Sequence, residues 1–460
     1  MRLNRYLAVG ALMGAIAGCS DLGLEVENPN NPDRQRVLAN PSDVEGLASG
    51  QFQQVVSATL GSTERTQLSM MTMAFENASG LNNNGMGPRS IMPRGPIDNT
   101  RGNQYAGENF IPWRILSSVG RNTADILARA NAPSFTLGAG REGDLNRLKA
   151  WTHFMSGVAH GYLSLTYDSV GIARPSDAPG DVPPLVGYQE ANSFALAQFD
   201  SALLHLQRPG TTALPVGWLT GPGGGTVSVA RFAQVVRSFR ARMRAGVART
   251  PQERAAVNWE QVIADATGGI DSDLVVGMNR NQNWDFSWLS STLHFRDVNW
   301  HQMPYHVIGM ADVSGAFETW LSQPRDSRVP LLIVTPDLRF PQGSTRTAQN
   351  ADRGGQVQPT GRKYFRNRAP GLDAAGVGWG NSQYDHYRFR YYADANGVAD
   401  LPVFTRAEND MLAAEGHIRR GSIPAAAALI DRTRTTAGLP ALSGAVTTAT
   451  QAVPGGASCV

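Results

Sequence analysis

Cysteine and lysine are almost absent from this chain. Two cysteines, Cys19 and Cys459, occur in 460 residues, and Lys149 and Lys363 are the only lysines among 41 basic residues. So few thiols exclude a disulfide-stapled framework and paired-cysteine metal motifs. An arginine content this one-sided reads as composition bias, not as a phosphate-reading design. The formal charge of +3 falls to +1 once residues 1–18, with Arg2 and Arg5, are set aside. The sequence pI of 8.9 therefore describes no basic surplus for nucleic acid. No apolar run is long enough for a membrane-spanning helix. Catalytic signatures are missing too: there is no H-E-x-x-H, no G-x-S-x-G and no His-x-His cluster. The glycine-rich stretch 221–226 lacks the lysine of a phosphate-binding loop. Asp271 and Asp273 read as a solvated turn, and His153 and His160, seven apart on a helix, as packing residues. No enzyme activity, cofactor or metal is expected.

What is present begins with a targeting segment. Arg2 and Arg5 precede a short apolar run, residues 6–17, which ends in Ile16-Ala17-Gly18-Cys19. That is the form of a bacterial lipobox, so residues 1–18 are expected to be a lipoprotein signal peptide and Cys19 a lipidation site. An acyl anchor contributes roughly 0.8 kcal/mol per buried methylene, so several chains hold a protein on a membrane where one does not. Residues 19–40, polar and carrying Asn-Pro pairs that disfavour helix, form the expected tether.

Beyond the tether, helical periodicity dominates. Helices are expected over 42–60, 113–130, 144–167, 188–206, 228–247, 257–267, 405–420 and 424–437. The clearest is 144–167, where Leu145, Leu148, Trp151, Met155, Val158, Tyr162 and Leu165 step at three or four residues. Residues 77–109 run for more than thirty positions of Gly, Asn, Pro and Arg without periodicity and are expected to be a binding loop. Within it, Asn82 and Asn83 are candidate ligand contacts.

Residues 401–439 read as two helices packed antiparallel. Thr405 is the expected N-cap with Glu408 completing a capping box; Gly421 stops the first helix, Ser422 caps the second and Gly438 ends it. The residues here are specific. Arg406, Ala407, Glu408, Leu412, Ala414 and Glu415, then Ala427, Ile430, Asp431, Arg434, Ala437, Gly438 and Leu439, resemble the helix pair of the SusD/RagB family. Tyr167-Asp168-Ser169-Val170 after the long helix, Pro324-Arg325-Asp326-Ser327-Arg328, and Arg362-Lys363-Tyr364 resemble further elements of the same family. Asp431 stands where the family has Asn, and Gly416 where it has Ala. The family's late Glu/Arg-rich run is not found after Leu439, so the chain reads as C-terminally truncated.

The resemblance implies a mainly α fold in which four tetratricopeptide-like helix pairs form a scaffold with long loop-rich insertions. Residues 41–460 would make one SusD-like helical domain, with insertions at about 77–110, 270–330 and 340–400. It also implies an outer-membrane protein, lipid-anchored and facing the cell surface. The implied role is to bind oligosaccharide or another nutrient, such as a peptide, and to pass it to a TonB-dependent SusC-type transporter.

Aromatic residues mark where such a ligand could stack. Residues 282–320 hold Trp284, Phe286, Trp288, Phe295, Trp300, Tyr305, Phe317 and Trp320 between amides and acids. Rings beside hydrogen-bonding groups suit sugar faces. Trp284, Trp300 and Tyr305 are the leading candidates, with Trp379 and Tyr384 from a second cluster. Burial in an irregular core is the competing reading for all of these rings. Two other functions stay open from residues alone: a lipid-anchored helical scaffold for envelope proteins, and a glycoside hydrolase with unrecognised carboxylates.

Overall fold

A computed structural model describes residues 34–61, 66–76, 89, 97–178, 180–285, 302–324, 327–352, 363–369 and 382–455. The expected signal peptide, Cys19 and most of the expected tether lie outside these residues. Among the described residues no helix is long and apolar enough to cross a membrane.

The N-terminal helices are α1 (Arg34–Ala39), α2 (Pro41–Ser49), α3 (Gln51–Thr59) and α4 (Thr66–Met73), followed by two long ones, α5 (Ala106–Ala130) and α6 (Glu142–Thr166). Then come α7 (Tyr188–Leu206), α8 (Val229–Gly246), α9 (Pro251–Ala256) and α10 (Trp259–Thr267). After an excursion holding the short helices α11 (Tyr305–Ile308), α12 (Ala316–Ser322), α13 (Arg346–Ala351) and α14 (Arg390–Asp394), the chain closes with α15 (Arg406–Arg419) and α16 (Ile423–Arg434).

Each long helix packs on the next in chain order: α3 on α5, α5 on α6, α6 on α7, α7 on α8, α8 on α10, α10 on α15 and α15 on α16. The four expected pairs are all present, and together they make the mainly α scaffold. Helix α6 runs through its middle and from Ala150 to Ser164 is buried nearly all round, as a helix enclosed by others must be. Trp151 is fully buried there, donating its indole N–H to the Ala48 carbonyl at 2.7 Å, with Phe154, Trp218 and Phe232 rings within 6 Å. Gly157 and Gly161 let the neighbours approach: a Cβ at the first would stand 2.9 Å from Phe199, and at the second 2.8 Å from Met243.

The described strands form two-stranded antiparallel sheets. β1 (Ser169–Gly171) pairs with β2 (Leu185–Gly187) beside the start of α7. β3 (Leu274–Asn279) pairs with β6 (Val398–Phe404), so the residues between them leave and re-enter the scaffold at one place. Within that excursion β4 (Phe365–Asn367) pairs with β5 (Tyr384–His386). A second apolar core forms there from Met303, Tyr305, Ile308, Phe317, Leu331, Ile333, Phe340 and Tyr384.

Local differences from expectation have identifiable causes. Residues 34–39 are helical instead of tether because Arg34 pairs with Asp125 and the Leu38 carbonyl accepts from Arg129 Nε at 2.9 Å, fixing α1 on α5. Helix α5 begins at Ala106 and carries Pro112 inside it. Its first turn is held by the buried Glu108, paired with Arg89, and by the Asn109 carbonyl, which accepts from the Tyr167 hydroxyl at 2.6 Å. Residues 106–109 of the expected loop are therefore helix. Thr405 accepts from the Glu408 amide at 3.0 Å as expected, but the Glu408 carboxylate turns away to Arg242, so the capping box is only half formed. Ser422 makes no side-chain cap, while Gly421 and Gly438 do take the left-handed conformation, φ +76° and +78°.

His153 and His160 both pack against α7, and His160 also meets α5. His153 bonds Gln198 at 2.7 Å and stacks on His205; His160 is fully buried against Phe194 and Gly120, its Nδ1 2.9 Å from the Ser156 carbonyl. Burial pushes His160 down to about 4. Its folded value lies below the unfolded one, so its stabilisation is complete above pH 6.5 and is lost as pH falls toward 4. At pH 5 the loss is about 2 kcal/mol. Urea denaturation at pH 7 and pH 5 should show that much less acid sensitivity in His160→Asn than in the parent; equal sensitivity refutes the assignment.

Candidate functional site

Where the excursion returns to the helix stack, a cleft of about 670 Å³ opens between them. Its scaffold side comes from α3, α4, the end of α6 and α8; its other side comes from β6, α15 and residues 339, 364, 388 and 389. Val55, Phe239 and Leu401 line it from the core. Half-buried rings of Tyr162, Tyr364 and Phe389 face the same space.

Arg242 anchors the arrangement. From α8 it donates to both Glu408 oxygens, at 2.6 and 2.7 Å, and to the Tyr162 hydroxyl at 2.7 Å, while its guanidinium lies 3.7 Å over the Phe404 ring. Burial alone would lower its pKa, but Tyr162 and Glu408 together hold it above the ordinary arginine value. On the opposite wall Tyr364 is fixed by backbone bonds: its carbonyl accepts from Tyr387 at 2.6 Å and its amide donates to the Arg339 carbonyl at 2.9 Å. Arg339 is in turn held by Asp337, which accepts from its Nε at 3.0 Å. Glu76, also in the wall, is raised by desolvation, with Arg388 pulling the other way. The result is a pocket with aromatic sides and charged edges, able to stack a flat apolar face and hydrogen-bond the groups around it. Among the described residues no group of three or more metal-ligating side chains is found.

The sequence candidates are placed as follows. Trp284 is 7% exposed and belongs to the main core, tilted against Phe52. Tyr305 is 1% exposed; its hydroxyl accepts from the Leu331 amide at 3.1 Å. Tyr384 is fully buried, its hydroxyl donating to Gln349 at 2.7 Å and accepting from the Ile333 amide at 2.8 Å, and burial pushes it up to about 12. These three rings are core residues, which corrects the expectation that they face a ligand. Near Tyr305 and Tyr384 the flanking polar residues misled because they too are buried: Gln302, fully enclosed, accepts from the Ser382 amide. Asn82, Asn83, Trp300 and Trp379 lie outside the described residues, as does Cys19. Asp271 and Asp273 do sit on a turn, where Arg231 bonds Asp271 and the Arg406 amide donates to Asp273.

The cleft residues that sequence reasoning missed carried weak signals. Tyr162 looked like one more member of a helix stripe and Glu408 like a cap. Arg388 and Phe389 stand in the run 384–392, beside the cluster that drew attention, but four and five residues from the ring chosen, Tyr384. Glu408→Ala should cost about 1–3 kcal/mol, because it removes charge-assisted bonds and leaves the Arg242 guanidinium short of its counter-charge. Chemical denaturation reads this directly; an unchanged midpoint would show that the pair is solvent-screened.

No protein-family model matches the chain, and no curated protein does. Solved structures do. A SusD-like protein from Bacteroides fragilis shares 12% identity over 92% of this chain and 84% of its own, with a TM-score of 0.55. A SusD superfamily protein from Bacteroides thetaiotaomicron shares 13% identity over 86% and 80%, with a TM-score of 0.51. A protein from Bacteroides vulgatus, provisionally described as sugar binding, shares 10% over 88% and 80%, at 0.50. At such identities the likeness is one of fold, and the fold of this chain is SusD-like.

Proposed function

We propose that the protein is a SusD-like outer-membrane lipoprotein, anchored at the cell surface through Cys19 after loss of residues 1–18. It binds an oligosaccharide or a related nutrient and delivers it to a TonB-dependent SusC-type transporter. The observation that carries this reading is the cleft between the helix stack and the excursion. Tyr162, Tyr364 and Phe389 offer ring faces there, and Arg388 offers hydrogen bonds at its edge. A provisional sugar-binding assignment for one protein of the same fold points the same way. Capture of this kind needs no covalent step: stacking and hydrogen bonds supply the affinity, and release needs only a competing surface.

Affinity electrophoresis against a panel of polysaccharides tests the binding. At least one gel should retard the protein, and Tyr364→Ala or Phe389→Ala should weaken that retardation by about tenfold in Kd, equivalent to roughly 1.4 kcal/mol. Unretarded migration throughout, in gels and with peptide pools, sinks the reading. The anchor is tested separately by fractionation: Cys19→Ser should move the protein from the membrane to the soluble fraction, and a membrane-bound variant would remove the lipid from the account.

A further inference from the structure

The charged groups of the cleft are not equally satisfied. Arg242 is neutralised by Glu408, and Arg339 by Asp337. Arg388 differs: its guanidinium carbon stands 4.9 Å from the centre of the Tyr364 ring and 5.2 Å from that of Phe389, and among the described residues no carboxylate lies within ion-pair distance of it. Glu76, the remaining acid of the lining, has its carboxylate 3.9 Å from His386 Nε2 and not on Arg388. Stacking on two rings holds the guanidinium in place yet uses none of its five N–H donors. A half-buried cation kept in this way is a preformed site for an anion, and the planar fork matches a carboxylate with two parallel bonds. The rings beside it are set to take the flat face of the sugar that carries the acid.

We infer that the ligand of the cleft is an acidic oligosaccharide, in which the carboxylate of a uronic acid residue is gripped by Arg388 while its ring stacks on Tyr364 or Phe389. This deepens the proposed function and rests on its placing of the site. Neutral glucans or mannans would leave the Arg388 donors to water and forfeit the charge-assisted bonds.

Isothermal titration of the full chain with trimers of galacturonic, mannuronic and glucuronic acid, each against its own methyl ester, isolates the charge at constant sugar shape. At least one acid should bind tenfold or more tightly than its ester. Arg388→Gln should abolish that difference, and Arg388→Lys, which keeps the charge but not the fork, should fall between. A melting temperature within the parent's error confirms that the variants fold. Equal binding of acid and ester, or a difference that survives in Arg388→Gln, overturns the inference. So does a preference for a sulfated galactan trimer over every carboxylated one. Binding confined to neutral glycans refutes the acidic ligand but leaves the cleft as a sugar site; loss of all glycan binding removes both.

Discussion

Arg242 is the interaction on which the closing of this molecule depends. A guanidinium cannot be carried off solvent without partners, because the cost of stripping its water exceeds what one contact returns. Here the partners come from four elements: Tyr162 from α6, Phe239 from its own helix, Phe404 from β6 and Glu408 from α15. Tyr162 lies 80 residues before Arg242 and Glu408 lies 166 after it, so satisfying one side chain brings the last helix pair onto the central helix. The Asn409 amide acts beside it, donating to the Ala266 carbonyl at 2.7 Å while its oxygen accepts from Ser238 at 2.8 Å. Together the two residues lock α15 against both α8 and α10. The floor of the cleft is thus the joint that completes the scaffold.

The stack explains why the excursion can be long. Successive helices bury their faces on neighbours close in chain order, and β3 and β6 bring the strand ends that flank the excursion together. Among the described residues between them, Trp284 and Tyr392 still pack into the main core, while a separate core forms around Tyr305 and Tyr384. The same division places the cleft at the seam: one wall belongs to a scaffold whose geometry is set by repeated packing, the other to a unit free to differ.

The scaffold was legible in the sequence, because helix packing writes its period into every third or fourth residue. The stripe of 144–167 and the glycines at 421 and 438 led to α6 and to the ends of α15 and α16. Ser228 caps α8, the Arg231 amide donating to its hydroxyl at 3.2 Å. Within the excursion no period exists, and burial there follows from contacts between residues tens of positions apart. Tyr384 meets Ile333 and Gln349, and Tyr305 meets Leu331. Nothing local distinguishes such a tyrosine from one that faces solvent. Glu408 failed to read correctly for a related reason: a glutamate three residues after Thr405 suits a capping box, but a bidentate arginine offers two charge-assisted bonds where the cap offers one neutral donor.

That competition also bears on what the cleft can select. Had Glu408 capped its own helix, Arg242 would face the cleft as a loose cation, and any anion would suit it. By taking Glu408, Arg242 becomes structural, and Asp337 does the same for Arg339. Among the described lining residues, Arg388 is the arginine left without a carboxylate, its guanidinium carbon 4.9 Å from the centre of the Tyr364 ring and 5.2 Å from that of Phe389. Pairing most of the arginines is therefore not a loss of binding power. It turns a diffuse positive wall, which would attract anions without regard to shape, into one directional contact whose geometry the surrounding aromatics define.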